Sequence, residues 1–244
     1  MKALGRRQPG VNTLPEAVVL MSGGLDSTTV LAYALNNGYH ITGISFDYGQ
    51  RHRREMESSE KIAEHFKIKR TVLKVDLRQM GGSSLTSQDS VEEGKLERKE
   101  IPNTYVPGRN ILFLAMAGAY AQILNINTIM IGVNSVDYSG YPDCRPDFIN
   151  SMEKSLKLGL DNQQLRILAP LQKMNKSEII SLGRENNAPY ELTYSCYNGG
   201  NKGCGKCDSC LLRLKGFMEA GEEDPIEYET YPKFYSEYLS GRNH

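Results

Sequence analysis

Apolar residues along this chain fall into two alternating kinds of segment. Short, mainly apolar runs occupy Ala17 to Met21, Ile41 to Phe46, Thr71 to Val75, Thr128 to Val133 and Arg166 to Ala169. Runs of this length without strict polar alternation suit strands buried on both faces. Between them lie longer segments with apolar residues every three or four positions, over 28–35, 54–66, 111–124, 148–158 and 176–185. These predict helices. The segment 111–124 is apolar almost all round, which predicts a buried helix. Strands alternating with helices predict an α/β fold, a doubly wound five-stranded parallel sheet with right-handed crossovers.

The pattern also predicts a layout. Residues 1–14 read as a flexible tail, 15–190 as the α/β domain, and 191–244 as a small C-terminal region. An insertion at about 80–103 interrupts the alternation. Its stretch from Gly81 to Lys99 is dense in Gly, Ser, Glu and Lys. It reads as a long exposed segment, either a lid or a plain surface loop.

Charge narrows the choice of partner. Lysine plus arginine and aspartate plus glutamate each number 29, so the formal net charge is zero. That balance offers no electrostatic argument for nucleic acid as a partner. No apolar run is long enough to span a membrane. Arg6 and Arg7 are followed by no apolar core, so the start does not read as a secretory leader. The cytoplasm is the expected compartment.

The first apolar run leads straight into Ser22-Gly23-Gly24-Leu25-Asp26-Ser27-Thr28. Two glycines permit close backbone approach and positive φ. Hydroxyls and helix-opening amides then face one spot, an arrangement suited to an anion. The alternative is a plain strand-to-helix turn capped by Asp26 or Ser27. The loop lacks the third glycine of a dinucleotide fingerprint and the Gly-Lys-Ser/Thr ending of a Walker loop. Polar residues also follow the second strand, at 47–52, and the fourth, at 134–143. In such sheets ligands bind at the carboxyl ends of strands, so these segments converge on one edge.

Cys196, Cys204, Cys207 and Cys210 form two overlapping Cys-x-x-Cys steps with one cysteine a short loop upstream. Four thiolates closing round one Zn²⁺ make a structural site, with no position left for water. The alternatives are an iron–sulfur cluster or a redox thiol pair. Lys202, Lys206 and Arg213 are placed to temper the thiolate charge. Cys144 stands apart and reads as a small, partly buried thiol.

The loop Ser22-Gly23-Gly24-Leu25-Asp26-Ser27 resembles the phosphate loop of the N-type ATP pyrophosphatases. Further pieces narrow the likeness: Tyr105 to Asn110, Asp137 to Arg145, Pro170-Leu171, Lys176 to Ile180, and the cysteine loop ending Cys210-Leu211-Leu212-Arg213. In this order, from about Ala17 to Phe217, they resemble the 7-cyano-7-deazaguanine synthase family of queuosine precursor synthesis. One departure is Tyr194, where the family pattern has tryptophan; an aromatic residue is kept.

The resemblance implies an ATP-dependent carbon–nitrogen ligase. It would convert 7-carboxy-7-deazaguanine and ammonia to the nitrile by activating the carboxylate and then the amide. It implies ATP held by Leu20, Met21, Ser22, Gly23, Gly24, Leu25, Asp26, Ser27, Thr28, Thr29 and Val30, with Asp26 on Mg²⁺. It implies catalytic roles for Asp26, Ser27, Arg109 and Lys176, although Lys176 by spacing alone also suits a solvated helix start. For the substrate, Asp137 or Asp143 would read the base edge, Tyr141 would stack on it, and Arg145 would hold its carboxylate. Tyr48 and Gln50 are further candidates. One structural zinc per chain and a homodimer complete the expectation.

Overall fold

The computed structural model describes residues 14–97, 100–136 and 141–242. The predicted tail up to residue 13 and the candidate Asp137 lie outside the described residues. Among the described residues, five strands form one sheet: β1 (Glu16–Leu20), β2 (His40–Asp47), β3 (Lys69–Lys74), β4 (Thr128–Met130) and β5 (Arg166–Leu168). Every pairing is parallel and the order is β3-β2-β1-β4-β5. The chain therefore winds outward from β1 in one direction and returns beside it as β4. The crevice between the carboxyl ends of β1 and β4 is the topological switch point.

Among the described residues, seven α-helices accompany the sheet: α1 (Leu25–Asn36), α2 (Arg54–His65), α3 (Arg109–Leu124), α4 (Pro146–Gly159), α5 (Lys176–Glu185), α6 (Asp208–Glu219) and α7 (Lys233–Arg242). Period-two alternation divides β1 between two cores. Val18 and Leu20 face one with Leu114 of α3 and Ile149 of α4. Ala17, Val19 and Met21 face the other with Val30 of α1, Ile62 of α2, Ile179 of α5 and Phe217 of α6. Helices on both faces make the sheet doubly wound, and burial on both faces explains the unbroken apolar run at 17–21.

Three expectations need correction. The fourth strand ends at Met130, although the Ile131 amide still donates to the Leu168 carbonyl at 3.0 Å. Gly132 then passes so close to α1 that a Cβ there would lie 3.0 Å from the Asp26 backbone. Helix α3 is not buried all round. Leu114, Ala117, Gly118 and Ala121 face inward, whereas Ile111 is 48% and Ile123 70% exposed, and Ala115 and Ala119 lie exposed between them. The glycine-, serine- and glutamate-rich insertion is not simply an exposed loop. Ser83, Ser84, Leu85 and Thr86 are buried, and the Gly94 amide donates to the Lys206 carbonyl at 2.8 Å. A Cβ on Gly94 would sit 2.5 Å from the Asp208 amide nitrogen, so the insertion is laid directly on the cysteine loop.

The C-terminal region has a small core of its own around Tyr194, Leu214, Tyr228 and Tyr235. Helix α6 ties it to α5. Gly216 faces Lys176 so closely that a Cβ there would lie 2.3 Å from the lysine Cγ. None of the helices is long and apolar enough to cross a membrane, among the described residues.

Candidate active site and metal centre

The loop between β1 and α1 has a shape that only its glycines allow. Gly23 has φ +86°, and a Cβ there would meet the Glu55 carbonyl oxygen at 2.2 Å. The first turn of α2 therefore rests on the loop. The Gly23 carbonyl accepts from the Tyr194 amide at 2.9 Å, which joins the segment leading into the cysteines to the same loop. Ser22 and Ser27 share a hydrogen bond of 3.0 Å between their hydroxyls, and the Gly24 amide donates to Ser22 Oγ at 3.2 Å. The first-turn amides of α1 lack intrahelical acceptors and leave this end electropositive.

Lys176, at the start of α5, meets this loop from across the switch point. Its Nζ donates to both Asp26 oxygens, at 2.8 and 2.9 Å. It is not a solvated helix-start lysine: its side chain is 12% exposed. Asn175 caps α5 with a full capping box, which fixes where Lys176 leaves the helix.

A cavity of about 260 Å³ opens beside this pair. Ser22, Gly24, Leu25, Asp26 and Ser27 line it, as do Leu20, Met21 and Lys176. Thr28 and Thr29 do not. Their hydroxyls donate to the Gly24 and Leu25 carbonyls, and Thr29 also bonds Tyr190 at 2.7 Å. These threonines, with Val30, build the helix start rather than the cavity wall. Gly23 shapes the loop from behind.

The far wall comes from β2, α3 and the cysteine segment. Arg109, first residue of α3, lines the cavity with its guanidinium 5.9 Å from the Tyr48 ring centroid. Burial alone would lower its pKa, but Tyr48, Tyr197, Tyr141 and Asp143 around it outweigh that and raise it, so it is a permanent cation. Phe46 and Phe113 stack with centroids 4.1 Å apart, and Tyr141 packs beside Tyr105. Burial, followed by the charge of Glu55, pushes the Tyr48 phenol up to about 12.

Glu55 completes the wall. Burial pushes its carboxyl up to about 7; the Arg109 guanidinium opposes that rise and Cys196 adds to it. Nothing in the sequence singles it out, since an acid in the first turn of a helix is an ordinary partner for the helix dipole.

The other substrate candidates divide. Tyr141 is buried, lines the cavity and shares a 3.2 Å hydrogen bond with Thr104. Asp143 does not line it: its carboxylate accepts from the Asn110 amide at 3.2 Å and so ties the 142–144 turn to α3. Arg145 caps α4, exposed and outside the cavity lining. The short 3₁₀ turn over Pro142–Cys144 immediately precedes it. Cys144 is buried in the wall, and burial pushes its thiol up to about 12, the state of an inert packing group. Gln50 lines the cavity, its Oε1 accepting from the Tyr48 amide at 2.9 Å.

The four cysteines converge as their spacing predicts. All are buried and their sulfurs lie within 4.8 Å of one another. Sulfurs about 2.3 Å from one tetrahedral ion stand ~3.8 Å apart, and Cys204 Sγ is 3.9 Å from Cys210 Sγ. A four-iron cluster sets its cysteines further apart, because irons and sulfides lie between them. The Lys206 and Cys207 amides both point at Cys204 Sγ at 3.3 Å, and the Cys204 amide points at Cys196 Sγ at 3.4 Å. Such donors favour thiolates. The donor set thus fits a single soft ion. Two of the expected charge partners have carboxylates of their own, although Arg213 still feels Cys210 electrostatically. Lys202 pairs with Glu227 at the surface, and Arg213 is held by Asp224.

The family model for "Queuosine biosynthesis protein QueC" matches residues 16–221, which include the glycine loop after β1, Arg109, Lys176 and all four clustered cysteines. The chain belongs to this family. The 7-cyano-7-deazaguanine synthase of Picrophilus torridus is 55% identical over 94% of this chain and 98% of its own length. The synthase of Thermoplasma acidophilum is 56% identical over 93% of this chain and 98% of its own. Likeness to solved structures is slighter. A 4-thiouridine synthetase–RNA complex with bound ATP has a TM-score of 0.49 at 18% identity, covering 93% of this chain and 50% of that one, which carries no functional weight. The loop, the Lys176–Asp26 ion pair and the four-cysteine cluster all lie within the matched residues.

Proposed function

We propose that this protein is an ATP-dependent carbon–nitrogen ligase that makes 7-cyano-7-deazaguanine from 7-carboxy-7-deazaguanine and ammonia. The observation that carries this reading is one cavity with an anion-binding loop and Lys176 on one side, and Arg109 among aromatic walls on the other. A carboxylate is a poor electrophile at neutral pH. Its oxygen attacks the α-phosphorus of ATP and pyrophosphate leaves, giving an acyl adenylate. Ammonia adds to the acyl carbon, and AMP and a proton depart to leave the amide. The amide oxygen then attacks the α-phosphorus of a second ATP, and pyrophosphate and one N–H proton leave. Loss of AMP and the remaining N–H proton gives the nitrile.

The chain's part is positioning and charge stabilisation. Ser22, Ser27 and the amides opening α1 bind the phosphates. Lys176 moves from Asp26 to a phosphate oxygen as ATP enters. Asp26, a hard oxygen donor, suits the accompanying Mg²⁺, which offsets phosphate charge when bound. Arg109 takes the role expected of Arg145 and holds the substrate carboxylate, a pairing that a guanidinium makes bidentate. Tyr141 and Tyr48 flank the base.

Zinc is the ion we assign to the four cysteines. Purified protein should carry about one equivalent of zinc per chain, measured by plasma emission, with no visible charge-transfer absorption. Cys144→Ser should retain it. Iron in place of zinc would reassign the site. Cysteines free of disulfides suit a reducing compartment, and we place the protein in the cytoplasm. The exposed apolar edge of α3, Ile111 to Ile123, supports a homodimer.

The deciding assay follows nucleotide by chromatography. AMP and pyrophosphate should accumulate over many turnovers only when both the carboxylated deazaguanine and ammonia are present, with no need for tRNA. Nucleotide turnover without the deazaguanine, or only with tRNA, would reject this function.

A further inference from the structure

The substrate in this reading has two chemically opposite ends. One carries a carboxylate. The other presents a ring N–H and an exocyclic amine side by side, two donors that call for an acceptor pair. Sequence reasoning gives that task to Asp137 or Asp143. Asp143 faces α3 instead, and Asp137 lies outside the described residues.

Among the described residues, the carboxylates lining the cavity are Asp26 and Glu55. Asp26 accepts from Lys176 with both oxygens. The Glu55 carboxylate takes part in no hydrogen bond or close ion pair among the described residues, although it faces Arg109 and Tyr48 electrostatically. Its backbone is fixed, because α2 rests on Gly23 where no side chain would fit. Carboxylate and guanidinium thus look into one space from two elements, with the Tyr48 ring beside both and Phe113, Tyr141 and Tyr197 as flat walls. An ammonium ion fits this place less well, since Arg109 is a permanent cation and repels it.

We propose that Glu55 reads the guanidine-like edge of the deazapurine while Arg109 holds the carboxylate at the opposite end. Glu55 is thereby the specificity-determining residue for a 2-amino base. The proposal rests on the function proposed above and goes further by naming the group that selects the base. A hydrogen bond to a charged acceptor is worth enough to discriminate about tenfold to hundredfold.

The test is a cycle of two proteins and two ligands by calorimetry, using zinc-loaded full-length chain. The ligands are 7-carboxy-7-deazaguanine and its analogue lacking the 2-amino group. The parent should prefer the amino compound by about tenfold to hundredfold. Glu55→Gln should weaken binding of that compound by a similar factor and leave the analogue nearly unchanged, so that the preference collapses. Binding of ATP and zinc content should not move. Equal weakening of both ligands, or of neither, overturns the proposal. So does an effect confined to the ammonia KM. A measurement on the parent alone guards against a variant that fails to fold: methylation of the ring N–H should cost as much affinity as loss of the amine. Parent-like binding of both altered ligands would refute the role. If the parent binds none of these compounds, the reading of function fails, and this proposal with it.

Discussion

Replacing Asp224 with alanine is expected to cost about 3–5 kcal/mol of stability. Arg213 donates to the two Asp224 oxygens from Nε and Nη2, at 2.7 and 2.8 Å. The two side chains are 2% and 0% exposed. Tyr228 donates its hydroxyl to the same carboxylate at 2.6 Å, and the Asp224 amide donates to Tyr235 of α7 at 2.8 Å. Arg213 also donates to Thr193 Oγ1 at 2.6 Å and to the Tyr190 carbonyl at 3.2 Å. One ion pair thus joins α6, α7 and the segment entering the cysteine loop. Removing the anion strands a buried guanidinium with its desolvation cost unopposed. A domain this size is stable by only ~5–15 kcal/mol, so the loss is a large part of the whole. Urea unfolding of zinc-loaded protein measures it. A loss under ~1 kcal/mol would mean that solvent reaches the pair, as at exposed bridges. The double substitution Arg213→Met with Asp224→Leu should be less harmful than the single one, since it leaves no charge behind.

In the sequence Arg213 reads only as a cation beside the cysteines and Asp224 does not stand out at all, and the reason is physical. Arg213 sits among charged and apolar residues typical of a surface helix, and only the return of the chain at Asp224 buries it. The strands were legible because burial on both faces leaves few polar residues in them. Strand β1 and its glycine loop were legible for a further reason: close approach at Gly23 leaves no alternative residue. The cysteines announced themselves because metal geometry imposes short spacings. Other features depend on tertiary placement. Glu55 acquires meaning only when Gly23 lets α2 settle on the loop. The insertion is polar in composition, yet its backbone is held by Lys206 and Asp208, a contact that composition does not encode. The apolar circumference of α3 predicted burial, but the described elements cover only the Leu114 to Ala121 side. Arg145 is a candidate by its position in a loop at the right sheet edge, but it is exposed and outside the cavity lining.

Asp26→Asn should lower turnover by about a hundredfold or more while leaving most of the stability in place. The substitution keeps the size of the side chain and alters no core contact. It removes the charge that Lys176 meets at 2.8 and 2.9 Å and that suits Mg²⁺ when ATP is bound. The asparagine amide then presents a donor toward Lys176 or the metal, where an acceptor is needed. Lys176→Ala should cause a loss of similar size, because the phosphate charge that builds during attack at the α-phosphorus loses its cation. The two effects should not add. If Asp26 and Lys176 serve one arrangement of phosphate and metal, the double variant should be little worse than either single one. Initial rates with saturating ammonia and carboxylated deazaguanine measure all three variants. Parent-like turnover in Asp26→Asn would move the ATP site away from the loop. Full multiplication of the two losses would instead show that Asp26 and Lys176 act on separate steps, and that their ion pair belongs only to the unliganded protein.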